Sequence, residues 1–147
     1  MTETVRSILD RKGHALYALP PEASVYDAIA LMAEKGIGAL LVVEEGRIAG
    51  VVSERDYARK VILKGKHSKE TRLEEVMTSE VITVTLDHTV DECMRIMTDC
   101  RIRHLPVLDA SRLAGIISIG DLVRTIIAAQ EATIKELHNY IAGAYPG

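Results

Sequence analysis

The sequence predicts an α+β fold: two pseudo-symmetric β-α-β-β-α repeats with helical N- and C-terminal extensions. Three observations lead there. Residues 25–62 and 90–127 align without a gap at an offset of 65, pairing Val25 with Val90, Met32 with Met97, Gly50 with Gly115, Ser53 with Ser118 and Asp56 with Asp121. Twelve of these 38 pairs are identical and most of the rest keep size and polarity, which signals one structural unit used twice. Within each copy the apolar spacing passes from helical to strand-like and back in the same order. Duplicated units pack on each other, so the cleft at their shared face is where function is expected.

The elements follow in order. Thr4–Lys12 reads as a short leading helix and Ala15–Leu19 as a short strand. Val25, Ala28, Ile29 and Met32 keep helical spacing behind Ser24, an N-cap with Asp27 three residues on. This helix should stop near Gly36. Two apolar runs, Ala39–Val43 and Ile48–Val52, flank the polar hairpin Glu44-Glu45-Gly46-Arg47. A second helix opens at Ser53 and carries Tyr57, Val61 and Ile62. Copy two repeats the order: strand Val81–Thr85, cap Thr89 with Glu92, helix positions Val90, Cys93, Met94 and Met97, and an end near Arg101. Its strands are Leu105–Leu108 and Leu113–Ile117 around Asp109-Ala110-Ser111-Arg112, and its second helix opens at Ser118 with Leu122, Ile126 and Ile127. Residues 64–72 form a polar, basic, solvated linker. From Ala128 to Ala142 a helical tail carries Ile134, Leu137, His138 and Ile141 on one stripe, which must bury against the core or a second chain. The expected domains are residues 8–66 and 73–130, with a C-terminal helical extension over 131–147.

Composition narrows the function. Each half, at roughly 60 residues, is marginal alone by surface-to-volume scaling, so the halves should need one another. The apolar runs are too short to cross a bilayer, and the opening MTETVRSILDRKG has no apolar signal-peptide core. A cytoplasmic protein is expected. Net charge of −3 with interspersed signs, no Trp, no Phe and five Tyr argue against a nucleic-acid binder. Cys93 and Cys100 lie seven apart on one helical face, about 10 Å by helix rise, too far for a disulfide. Two buried free thiols in a reducing cytosol are expected, and no Cys or His pair has zinc-ligand spacing.

Two places could carry chemistry. The first is the turn into the second helix, Gly50-Val51-Val52-Ser53-Glu54-Arg55-Asp56 and Gly115-Ile116-Ile117-Ser118-Ile119-Gly120-Asp121. In one reading Ser caps the helix and Asp completes a capping box. In the other, the helix N-terminus and Ser hydroxyl receive a phosphate and Asp accepts two vicinal ribose hydroxyls. The second place breaks the symmetry: Arg101-Ile102-Arg103-His104-Leu105-Pro106 stands where copy one has Gly36-Ile37-Gly38-Ala39-Leu40-Leu41. Bidentate Arg and a titratable His suit phosphate, whereas helix-end cations could instead be solvated partners of the dipole. An enzyme could be assembled on paper from Ser118, His104, Asp121 and Cys100, but no Gly-x-Ser-x-Gly elbow or other catalytic context surrounds them.

These residues resemble the CBS domain family, named after cystathionine β-synthase. The resemblance spans nearly the whole chain and rests on the tandem copies, the element order, Arg103-His104-Leu105-Pro106-Val107 and both Gly-apolar-apolar-Ser-x-x-Asp turns. It implies a stand-alone, non-catalytic tandem CBS pair that binds an adenine nucleotide (AMP, ADP, ATP or NAD) in the cleft between copies, with no catalytic cofactor and no metal. It implies Asp56 and Ser53 as ribose and phosphate contacts, with Arg103 and His104 gripping phosphate from copy two, and Ser118 and Asp121 marking a second site. That second site should be weaker, because its phosphate-gripping positions fall on Gly38 and Ala39. The adenine slot is expected near Met77, Thr78, Val81 and Ile82 or their counterparts around Ala15 and Tyr17, with Arg55 and Pro106 completing the binding set. The family further implies a homodimer through helical faces that stacks into a disc. With no effector domain attached, a separate effector protein would read the signal. The alternative is a ligand-independent dimerisation scaffold in which both Asp residues are merely caps.

Overall fold

Each copy of the repeat builds its own three-stranded sheet, so the duplication in sequence is a duplication in space. The computed structural model describes residues 2–144. In chain order the elements are α1 (Val5–Lys12), β1 (Ala18–Leu19), α2 (Val25–Lys35), β2 (Ala39–Glu44), β3 (Arg47–Ser53), α3 (Glu54–Asp56, continuing as a π-helical segment Tyr57–Ile62), α4 (Leu73–Val76), β4 (Val84–Thr85), α5 (Val90–Cys100), β5 (His104–Asp109), β6 (Arg112–Ser118) and α6 (Ile119–Ala144). One spatial unit holds Ala15–Thr83; the other holds the chain up to His14 and from Val84 onward. The last three residues of the expected extension, 145–147, lie outside the described residues.

Both sheets have one plan. β1 runs parallel to β2, which pairs antiparallel with β3; β4, β5 and β6 do the same. Even the irregularity is duplicated: the register shifts between Val42 and Val43 and, 65 residues later, between Val107 and Leu108. The hairpins turn on Glu45 and Gly46 in copy one and on Ala110 and Ser111 in copy two, all with positive φ. Two successive left-handed residues match the twist of the flanking strands. Copy two achieves this without glycine, against the Cβ penalty that glycine avoids.

The main helices begin and end as their caps dictate. Ser24 Oγ accepts from the Asp27 N–H at 3.1 Å, and Thr89 and Glu92 close a full reciprocal box at 3.1 and 2.9 Å. Gly36 (φ 65°) and Arg101 (φ 55°) end them in the left-handed conformation. Each helix lays its apolar face on its own sheet. Val25, Ala28 and Met32 join Leu40, Val42 and Val52 in one core, and Val90, Cys93 and Met97 join Leu105, Val107 and Ile117 in the other.

A short helix completes each unit. The residue before it bridges to the N-cap of the main helix: Thr4 to Thr89 ahead of α1, and Arg72 to Ser24 ahead of α4. By this equivalence Val5 corresponds to Leu73 and Leu9 to Met77. Val5, Leu9 and Leu73 are completely buried. Helices of eight and four residues cannot stand alone in water, so this burial, about 1.5–3 kcal/mol per large side chain, is what holds them.

Several expectations shift. β1 and β4 are two-residue strands, since only those residues pair in parallel with β2 and β5. α4 begins just after the expected linker, at the start of the expected second domain, yet it belongs to the unit of copy one. The second helix of copy one departs from α geometry after Asp56, whereas its counterpart α6 is continuous for 26 residues. Cys93 is buried, but Cys100 is exposed, which corrects the expectation of two buried thiols; Cys100 closes the last turn of α5 beside its left-handed cap. Desolvation raises the Cys93 thiol to about 11, so it packs as a small hydrophobe. The tail stripe does not meet the core: Ile134, Leu137 and Ile141 are exposed.

Gly50 and Gly115 mark where the short helices approach β3 and β6. A Cβ on Gly50 would stand 2.7 Å from Met77 Sδ and 2.9 Å from the Thr78 carbonyl oxygen; one on Gly115 would meet only the Leu9 side chain, at 2.9 Å. A side chain can turn aside more cheaply than a backbone carbonyl that is itself hydrogen-bonded. Gly50→Ala should therefore cost about 1–3 kcal/mol, and Gly115→Ala less, in paired urea denaturations. The reverse ranking would refute this account of the packing.

Candidate functional site

Where β3 hands over to α3, the first helical amides lack partners within the helix. Ser53 stands at that corner with extended backbone (φ −124°, ψ 167°). Its Oγ accepts from the Asp56 N–H at 3.2 Å, and Asp56 Oδ2 accepts from the Ser53 N–H at 2.9 Å and Oγ at 3.1 Å. The same box closes at the end of β6: Ser118 Oγ accepts from the Asp121 N–H at 3.2 Å, and Asp121 Oδ2 from the Ser118 N–H at 2.8 Å. Both turns are thus capping boxes in fact, whatever else they do.

The box draws each carboxylate out of water. The Asp56 side chain is 14% exposed and that of Asp121 only 7%. A buried ionised acid is costly unless paired, and each has a lysine. Lys60 Nζ lies 3.1 Å from Asp56 Oδ1 and donates to the Val76 carbonyl at 2.9 Å. Lys12, from α1, donates to Asp121 Oδ2 at 2.6 Å and to the Ile116 carbonyl at 2.7 Å. Arg124 adds a contact to Asp121 Oδ1 at 2.7 Å. Burial pushes the Asp121 carboxyl up, but Lys12 and the Ser118 N–H pull the other way and hold it below the usual carboxylate value.

The cationic segment of copy two lies at the same corner. His104 opens β5 directly opposite Ser118, and the Ile119 N–H donates to the Arg103 carbonyl at 2.8 Å. Arg103, His104, Ser118 and Asp121 are therefore grouped within one unit. At the equivalent corner of the other unit, where the Glu54 N–H meets the Gly38 carbonyl at 3.1 Å, Gly38 and Ala39 stand in place of Arg103 and His104. The Arg103 side chain is exposed and His104 half-buried. Burial lowers the His104 pKa, the charges of Lys12 and Arg103 add to this, and Asp121 opposes it. The balance of burial and charge thus favours the neutral imidazole over the cation.

The remaining expected contacts are spread along the chain. Arg55 is exposed on the first turn after Ser53. Thr78 pairs its backbone with Val51 through two hydrogen bonds, 3.0 and 2.9 Å, placing it along β3 near the Ser53 corner. Val81 is half-buried and Ile82 exposed in the irregular stretch before β4. Pro106 is buried in β5, opposite Ile116. Two residues at the corners escape a reading of motifs. Lys60 stands at i+4 from Asp56, a spacing that signals an ion pair. Lys12 is 109 residues from Asp121, and nothing local announces it.

Comparison identifies the family to which these duplicated sheet-and-helix units with Ser-x-x-Asp corners belong. The CBS domain model matches twice, over residues 5–63 and 73–128, so the chain belongs to the CBS domain family. It is 42% identical over 127 residues to the CBS domain-containing protein CBSX3, mitochondrial, of Arabidopsis thaliana, covering 83% of this chain and 62% of that protein's length. Among solved structures, a protein with CBS domains from Burkholderia ambifaria MC40-6 superposes with a TM-score of 0.83 at 56% identity, covering 86% of this chain and 96% of that one. The CBS domain pair of protein MJ0100, solved in complex with 5′-methylthioadenosine and S-adenosyl-L-methionine, gives 0.78 at 27% identity, covering 88% and 99%. Among the described residues no helix is long and apolar enough to cross a membrane.

The lowered Asp121 pKa has a consequence for acid stability. A carboxylate depressed in the folded state stabilises fully above its unfolded pKa, about 3.9, and that contribution is lost as pH falls through the folded value. Asp121→Asn should lower the urea midpoint at pH 7, and the gap to the parent should narrow towards pH 3. A gap of constant size would show that the charge is not what stabilises.

Proposed function

We propose that the chain is a non-catalytic regulatory module that binds an adenosine-containing ligand at its Ser-x-x-Asp turns and signals through a change of shape or of partner. The observation that carries this reading is the pair of inward-drawn carboxylates. Asp56 is held beside Ser53, with a lysine at 3.1 Å on its second oxygen. A fixed carboxylate with spare acceptor capacity is the group a vicinal ribose diol requires. The adenosine ligands on the MJ0100 pair support the same chemistry, since both carry that diol. AMP, ADP, ATP and NAD share it, and their phosphates suit the exposed guanidinium of Arg103. Thr78, Val81, Ile82, Arg55 and Pro106 complete the proposed contacts.

Signalling follows from differential affinity: a ligand shifts only the equilibrium whose two states it binds unequally. The exposed stripe on α6, with Ile134, Leu137 and Ile141, supports a helical homodimer face, and the listener would be a separate protein. Cytoplasmic residence belongs to the same proposal; the free, exposed Cys100 suits a reducing compartment.

Calorimetric and thermal titration against an adenosine panel tests the reading. Ligand at 100 times its dissociation constant should add about 2.7 kcal/mol of stability. Because Asp56 closes a real capping box, Asp56→Ala should lower the unliganded stability by about 1 kcal/mol and abolish the ligand's gain altogether. If saturating ligand produces neither heat nor a thermal shift, the scaffold reading replaces this one.

His104 separates phosphate-bearing from phosphate-free ligands. A phosphate beside it would raise a pKa that burial now lowers, so binding would take up a proton. AMP affinity should then strengthen as pH falls from 8 to 5.5, while adenosine affinity stays flat. Equal pH profiles for the two would remove His104 from the phosphate contacts.

A further inference from the structure

We propose that Lys12 is a built-in occupant of the copy-two turn. Its ammonium takes the Asp121 carboxylate that a ribose diol would use, so the chain binds one adenosine-type ligand, at the Asp56 turn, until Lys12 is removed. The inference rests on the reading of the Ser-x-x-Asp turns as ribose sites and adds which of them is open.

A carboxylate offers about four lone-pair positions. Asp121 has committed three: to the Ser118 N–H at 2.8 Å, to Lys12 Nζ at 2.6 Å and to Arg124 at 2.7 Å. Two of these donors are cations within charge-assisted range. One place remains, and a vicinal diol donates two hydrogen bonds. Asp56 also has three contacts, but they are of another kind. Beyond the Ser53 N–H, one is the Ser53 hydroxyl at 3.1 Å, a rotor that can turn to a ligand. The other is Lys60, also at 3.1 Å and anchored at the Val76 carbonyl at 2.9 Å, one cation where Asp121 has two. The hydroxyl can yield its place without breaking an ion pair, which leaves Asp56 two acceptor positions for a diol, whereas Asp121 gains a second position only if a cation leaves.

The difference originates in helix length. α4 ends at Val76; Met77 is extended (φ −63°, ψ 153°), and Thr78 then pairs its backbone with Val51 on the free edge of β3. Its counterpart α1 winds on for another turn, to Lys12. The equivalent edge of β6 is therefore met by side chains: Lys12 Nζ at the Ile116 carbonyl, and His14 Nδ1 at the Ala114 carbonyl, 3.0 Å away. Arg11 donates to Thr125 Oγ1 at 3.2 Å, so the end of α1 is fastened to both β6 and α6. Lys12 is held at two points, and a diol arriving at Asp121 must displace a charge-paired cation to gain its second acceptor position.

The test titrates the parent, Lys12→Met and Lys12→Arg with AMP and with S-adenosyl-L-methionine as probes, reading equivalents bound per chain. The parent should saturate at one equivalent and Lys12→Met at two. Lys12→Arg, which keeps the ion pair, should stay at one. Adding Asp121→Asn to Lys12→Met should return it to one. If Lys12→Met does not unfold cooperatively, Lys12→Gln takes its place with the same expectation, since it still donates to Ile116 but carries no charge. Two equivalents in the parent, or one in the neutral Lys12 variants, would overturn the inference and leave the ribose-site reading standing. Binding of neither probe to any variant would overturn both.

Discussion

A strand that runs directly into a helix leaves amides without partners, and in this chain one Ser–Asp box resolves that problem twice. The solution requires an ionised carboxylate fixed at the end of the sheet, nearly out of water. Such a group must find cations or hydrogen-bond donors, because its desolvation is otherwise unpaid. The structural and ligand-binding readings of the turn are therefore not rivals. Capping is what places the carboxylate, and its remaining lone pairs are what a ligand would meet. The adjoining strand, the short helix and the lysine can all be understood as responses to that acid.

The two copies share their fold because the shared residues are those that decide it. Ser and Asp stand at each corner, glycine where the short helix approaches the sheet, and the same apolar positions line each core. They diverge where the fold is indifferent. A left-handed helix end accepts Gly36 or Arg101, and a hairpin accepts Glu45-Gly46 or Ala110-Ser111. The same latitude allows Arg103 and His104 to replace Gly38 and Ala39 on a corner whose backbone bonding is unchanged, with Ile119 and Glu54 donating to equivalent carbonyls. Duplication supplies the scaffold, and the tolerant positions supply the asymmetry.

What could be read from the sequence was whatever depends on neighbours along the chain. Caps such as Thr89 with Glu92, helix ends at Gly36 and Arg101, and paired runs around polar turns are local, and they appear where the spacing places them. α4 escaped notice because four residues are barely one turn, too few to show a period. The burial of Cys100 was misjudged because helical spacing shared with Cys93 does not reveal that the last turn of α5 rises clear of the core. Within the site, Ser53, Asp56, Ser118 and Asp121 were legible as a motif, and Arg103 and His104 as a departure from symmetry. Lys12 was not, since its partner is far along the chain and it meets Asp121 only because α1 packs with copy two.

That lysine acts on more than the carboxylate. The charge of Lys12 is also among the influences that hold His104 below its ordinary pKa, after burial itself, while Asp121 pulls the other way. With Lys12 seated, Asp121 is committed to cations, and its field at the imidazole is opposed by the ammonium that neutralises it. Were Lys12 to leave, the acid would regain acceptor capacity and the imidazole would lose a repelling charge in the same event. Both changes favour a ligand that brings hydroxyl donors together with negative charge, as a nucleotide does and a bare nucleoside does not. One side chain at the end of α1 therefore sets the charge balance of the corner: it neutralises the acid and at the same time opposes protonation of the imidazole.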